Sequence, residues 1–112
     1  MSNVWIAANA TEVALTWDVQ NPGRTWIACT PTQTLAIKLI CRTRQLVGLG
    51  PVCLSPVAAL DLARRRHTAG LCIWQPATKD FEFVKVENRN FAEHRFLSKR
   101  AKLTTPIRTG KN

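Results

Sequence analysis

The side chains of this sequence best suited to act on another molecule are its cations. Lys38 and Arg42 stand four residues apart, Arg64, Arg65 and Arg66 are consecutive, and Arg95, Lys99, Arg100 and Lys102 crowd a stretch near the C-terminus. A spacing of four puts Lys38 and Arg42 on one face of a helix. Groups of this kind hold phosphates and carboxylates, arginine through a planar fork and lysine as a point charge. The net charge is +9, and it is unevenly placed: Arg24 is the only basic residue before Lys38, whereas fifteen basic residues face five acids from Lys38 onward. Such a field draws in phosphate-rich or acidic partners. These cations are the candidate binding residues.

Nothing in the sequence specifies a reaction. Of the two histidines, His67 and His94, neither has the setting of a nucleophile's base, and the seven acids are scattered rather than paired. Gly48-Leu49-Gly50-Pro51 lacks the Lys-Ser/Thr ending of a phosphate-binding loop and reads as a helix end followed by a proline bend. Cys29, Cys41, Cys53 and Cys72 form no Cys-x-x-Cys pair. Each has apolar neighbours, so all four are expected as buried free thiols rather than as a disulfide or a zinc site. No catalytic residue, metal ligand or cofactor is therefore expected. A metal-free ribonuclease needs only His94 as acid and base with Arg95 and Lys99 on the phosphate, and stays as a minor alternative.

The elements that must position the cations centre on a helical pair over residues 30–70. Thr30, Pro31 and Gln33 are read as N-cap, first helical residue and capping-box partner, with Gly48 as the stop. Leu35, Ala36, Leu39, Ile40 and Val47 form the apolar face; Thr34, Lys38, Arg42 and Gln45 form a basic ridge opposite. Ser55 and Pro56 repeat the start for a second helix that stops at Gly70. Leu60, Ala63 and His67 line its inner side, and Asp61 is spaced to pair with Arg65.

Strand-like sequence flanks the pair. Residues 3–8 and 12–19 read as strands, the second alternating Val13, Leu15, Trp17 and Val19 with polar neighbours. Asn21-Pro22-Gly23-Arg24 has type II turn chemistry, and residues 24–29 make a third strand in which Trp26 meets Trp17. After the helices, residues 71–75 and 81–87 form a hairpin about the turn 76–80. Asn88 or Asn90 caps a last helix carrying Phe91, Phe96 and Leu97. The fold class is α+β, in the order β-β-β-α-α-β-β-α, with a mostly antiparallel sheet and helices packed on it. The expected core holds Leu15, Trp17, Leu35, Leu39, Ile40, Leu60, Ala63, Ile73, Phe83 and Phe96.

With 112 residues the chain is expected to be a single domain over 1–103 with a basic, flexible tail over 104–112. It shows no signal peptide and no apolar run long enough for a bilayer, so a cytoplasmic protein without membrane contact is expected. The function that follows is non-enzymatic binding of nucleic acid, DNA or RNA, through helix-borne Arg and Lys. Two helices followed by a hairpin suggest a winged-helix-like arrangement, although the 48–54 connection is long for one. The alternative is a compact accessory or inhibitor protein, of the kind phages and plasmids encode, that docks on an acidic or nucleic-acid-binding surface of a larger protein.

Overall fold

The computed structural model describes residues 2–18, 21–86 and 108–111. The fold is α+β. Its strands are β1 (Val4–Ala8), β2 (Glu12–Asp18), β3 (Asn21–Thr30), β4 (Gly50–Leu54), β5 (Gly70–Gln75), β6 (Asp80–Lys85) and β7 (Arg108–Lys111), and its helices are α1 (Gln33–Arg42) and α2 (Pro56–Arg65). They make one sheet of order β4-β1-β2-β3-β5-β6, with β7 beside β2. Among the described residues only the β3–β5 pairing is parallel.

Strand β3 organises the sheet. It runs against β2, with Leu15 opposite Ile27, and then against β1, with Ile6 opposite Cys29 and Trp5 opposite Thr30. The chain between those partners leaves β3 and closes on itself where Ala8 meets Val13. Asn9 makes that turn, its Oδ1 accepting from the backbone N–H groups of Thr11 and Glu12 at 2.9 and 2.8 Å. Alternate residues of β3 are buried on opposite faces. On one face Ile27 and Cys29 pack with Ile6, Leu15 and Ile73 against Leu60 and Ala63 of α2. On the other, Ala28 joins Ala7 and Ala14 beneath Leu39 and Ile40 of α1, and Trp26 packs with Cys72 and Phe83. Alanines at those three positions leave α1 room to lie close to the sheet.

Several elements form as their sequence dictates. Ser55 caps α2, its Oγ accepting from the Ala58 N–H at 3.2 Å, with Pro56 at the first position. The β5–β6 hairpin pairs Trp74 with Phe81 and Cys72 with Phe83. Of the expected core, Leu15, Leu60, Ala63, Ile73 and Phe83 are buried and Trp17, Leu35, Leu39 and Ile40 are half-buried; Phe96 lies outside the described residues. The expected last helix also lies outside them. Four residues of the expected tail form β7.

Other expectations are corrected. The cap of α1 is Thr32, whose hydroxyl accepts from the Leu35 N–H at 3.3 Å, because Thr30 is still the last residue of β3. Helix α1 stops at Arg42, not at Gly48. Thr43 is extended there and resets the helical phase, so that Leu46 in a following 3-10 turn is buried while Val47 is 78% exposed. The connection after Gly48 holds strand β4 instead of a bend. Among the described residues it pairs only with β1, which makes it an edge where Pro51 is tolerated. Asn21 pairs with Asp18 as the first residue of β3, so residues 21–24 are strand and not a type II turn. Trp26 then pairs with Thr16 and Trp17 with Thr25, so the two indoles lie on opposite faces and do not meet. Cys41 on α1 and Cys53 on the edge strand are exposed; Cys29 and Cys72 are buried, and all four are free thiols. Burial pushes the Cys29 thiol far above its ordinary pKa.

Helix α2 ends before Gly70. Arg66 is its C-cap, His67 takes a left-handed conformation (φ 56°) and is exposed, and Thr68 Oγ1 donates to the Ala63 carbonyl at 3.0 Å. Gly70 instead opens β5 at φ 152°, where a Cβ would collide with the Val84 carbonyl of β6. Gly70→Ala should therefore cost at least about 2–3 kcal/mol, from strained backbone and an unavoidable clash. Denaturant unfolding measures this, and a loss below about 1 kcal/mol would show that the β5–β6 contact yields more easily than its geometry implies.

Candidate functional site

Helix α1 packs over β4, β1 and β3 and leaves a gap beside it toward β5 and β6. Ala36 is buried, with Leu39 and Ile40 packed on the alanine patch, while Leu35, Lys38, Leu39 and Arg42 border a groove of about 360 Å³ between the helix and the β5–β6 side of the sheet. The sheet contributes Thr16, Ala28, Thr30, Cys72, Trp74 and Phe81. Lys38 and Arg42 are exposed at its rim, one helical turn apart. Among the described residues neither forms an ion pair. The ridge expected to face solvent is thus also one wall of a concavity.

The floor of the groove follows from strand alternation. Cys72 and Trp74 share a face of β5, Phe81 and Phe83 share a face of β6, and cross-strand pairing sets the Trp74 and Phe81 rings 5.0 Å apart at 56°. Both rings are half-buried. Next to them Trp26 stands edge-on to Phe83 at 4.8 Å, and the Arg24 guanidinium lies 5.0 Å over the Trp26 ring. Trp26 itself is only 3% exposed, so it supports the floor and cannot be a stacking surface, as an exposed indole would be. Thr16 and Thr30 are the hydroxyl-bearing residues of the lining, and Thr30 Oγ1 donates to the Thr32 carbonyl at 2.8 Å. No carboxylate lines the groove among the described residues. Glu82, whose carboxyl burial pushes above its ordinary pKa, alternates with Phe81 and Phe83 and so belongs to the opposite face of β6.

The other cations are placed differently. Arg64 donates to Asp61 at 2.7 Å and to the Val86 carbonyl at 2.8 Å, so the helical ion pair is Asp61–Arg64 and not the expected Asp61–Arg65. Arg66 donates to the Thr11 carbonyl at 3.3 Å, tying the end of α2 to the β1–β2 turn. Only Arg65 of the three is fully exposed. Because α1 and α2 cover opposite faces of the sheet, Lys38 and Arg42 do not converge with the α2 arginines. Strand β4 also separates the helices, so they form no helix-turn-helix and the winged-helix arrangement does not hold. Arg95, Lys99, Arg100, Lys102 and His94 lie outside the described residues.

The sequence reading missed Trp74, Phe81, Thr16 and Thr30 as site residues. The signal for the aromatic pair was present, since a hairpin closed by a four-residue turn puts Trp74 opposite Phe81. What it could not supply was the helix that leaves those rings half-open. No protein family model, curated protein or solved structure matches the chain. Among the described residues no helix is long and apolar enough to cross a membrane.

These placements separate structural from available charge. Arg64→Ala removes a charge-assisted bond to a backbone carbonyl as well as an exposed ion pair, and should lower stability by about 1 kcal/mol. Lys38→Ala and Arg42→Ala should leave the melting temperature within a degree or so, as surface changes do. Thermal melts of the three variants check this, and equal destabilisation by all three would place Lys38 and Arg42 in the fold rather than at a free rim.

Proposed function

We propose that this protein binds single-stranded nucleic acid without catalysis, and that the groove beside α1 is where it does so. One observation carries the reading: Lys38 and Arg42 stand unpaired, among the described residues, over an apolar groove whose floor holds the half-open Trp74 and Phe81 rings. Cations beside aromatic faces are the general means of holding single strands, in which phosphates meet charge and bases meet rings. A duplex fits less well. Its bases are stacked away from a concave surface, and reading them takes a helix or ribbon projecting into the major groove, which no described element offers. An acidic protein surface would satisfy the same two cations but would leave the aromatic floor without a role.

The test is titration of fluorescently labelled single-stranded DNA and RNA at two salt concentrations. Binding should weaken with salt, and Lys38→Ala/Arg42→Ala together should lower affinity by roughly one decade, at about 1 kcal/mol or less per exposed contact. Loss of two phosphate contacts should also flatten the logarithmic salt slope by about 1.4, near 0.7 for each. Arg65→Ala, on the other helix, should leave affinity unchanged. Salt-dependent binding that the double variant does not weaken would move the interface elsewhere, and no binding to either polymer would overturn the reading.

A further inference from the structure

Resting on that reading, we infer that the groove takes one nucleotide unit ending in a phosphomonoester, either a free nucleoside monophosphate or the phosphorylated end of a strand. Size limits the occupant first. About 360 Å³ is near the lower end for small-molecule sites, which suits one base with its sugar and not a run of stacked bases. The lining sets polarity next: Ala28, Leu35 and Leu39 with Trp74 and Phe81 form an apolar slot for a flat ring, with Thr16 and Thr30, 4% and 6% exposed, as its buried hydroxyl-bearing residues.

Charge then selects the kind of phosphate. Lys38 and Arg42 are neighbours on one helix face, a spacing from which two long side chains can reach one phosphate at the rim, and no lining carboxylate offsets them among the described residues. A diester in mid-strand offers one negative charge, whereas a phosphomonoester carries nearly two at neutral pH and more oxygens free to accept. Two cations one helical turn apart match the monoester. The structural arginines of α2 have no part in this site.

Calorimetry and competition decide the matter. Adenosine 5′-monophosphate, adenosine 3′-monophosphate, uridine 5′-monophosphate and unphosphorylated adenosine are titrated into the protein and set against a labelled oligonucleotide made with and without terminal phosphates. At least one monophosphate should bind saturably and displace the oligonucleotide, adenosine should be at least about tenfold weaker, and Lys38→Ala/Arg42→Ala should remove that difference. Trp74→Ala should weaken monophosphate binding about tenfold or more, with the two rim variants serving if it disturbs the fold. Comparing the two oligonucleotides and the 5′ with the 3′ nucleotide shows whether free nucleotide or strand end is preferred, and at which position. If oligonucleotides bind while no monophosphate binds or competes and the terminal phosphate adds nothing, this inference is overturned and the broader function stands. If neither oligonucleotide nor nucleotide binds, both fall together.

Discussion

Burial of β3 on both faces is the constraint from which the rest of the structure follows. Ile27 and Cys29 face one way and Trp26, Ala28 and Thr30 the other, and all are buried. A strand covered on only one side could carry both helices on that side, with a solvated back. Here each face needs a cover. The chain supplies α1 to one and α2 to the other, and crosses from one to the other through β4 at the sheet's edge. Two basic helices that are neighbours in sequence are thereby kept on separate surfaces of the molecule.

That separation gives the cations different work. On α2, Arg64 and Arg66 are spent on backbone carbonyls at Val86 and Thr11, where they hold the end of β6 and the β1–β2 turn to the helix. On α1 the alanine patch lets the helix settle over β1 and β4, and the larger residues toward β5 and β6 leave a gap. Lys38 and Arg42 border that gap. The groove is thus a consequence of packing: small residues under one side of α1, and aromatic residues beyond the other.

Local signals in the sequence are legible where the chemistry itself is local. Ser55 with Pro56 starts a helix through its own hydroxyl and ring, and alternation in residues 71–85 is enough to pair β5 with β6. Strand β4 was not legible, because Gly50 and Pro51 read as loop residues and its pairing with β1 comes from far away in the chain. The start of α1 shifted by two residues for a similar reason. Thr30 and Thr32 are equally good caps, and only the pairing of Thr30 with Trp5 settles which is still strand. The same limit applied to the site. Helical spacing showed that Lys38 and Arg42 share a face, but it carries no information on which side of the sheet that face lies or on which arginines are already bonded.

The central claim is that the α1 side of the sheet is the binding surface and the α2 side is structural. The most direct measurement is amide and indole chemical-shift mapping by NMR with a short single-stranded oligonucleotide. The account predicts the largest shifts at the Trp74 indole N–H, at Phe81 and along residues 35–42, with Ala59, Leu60 and Ala63 little changed. Shifts centred on residues 56–66, with Trp74 unmoved, would contradict it.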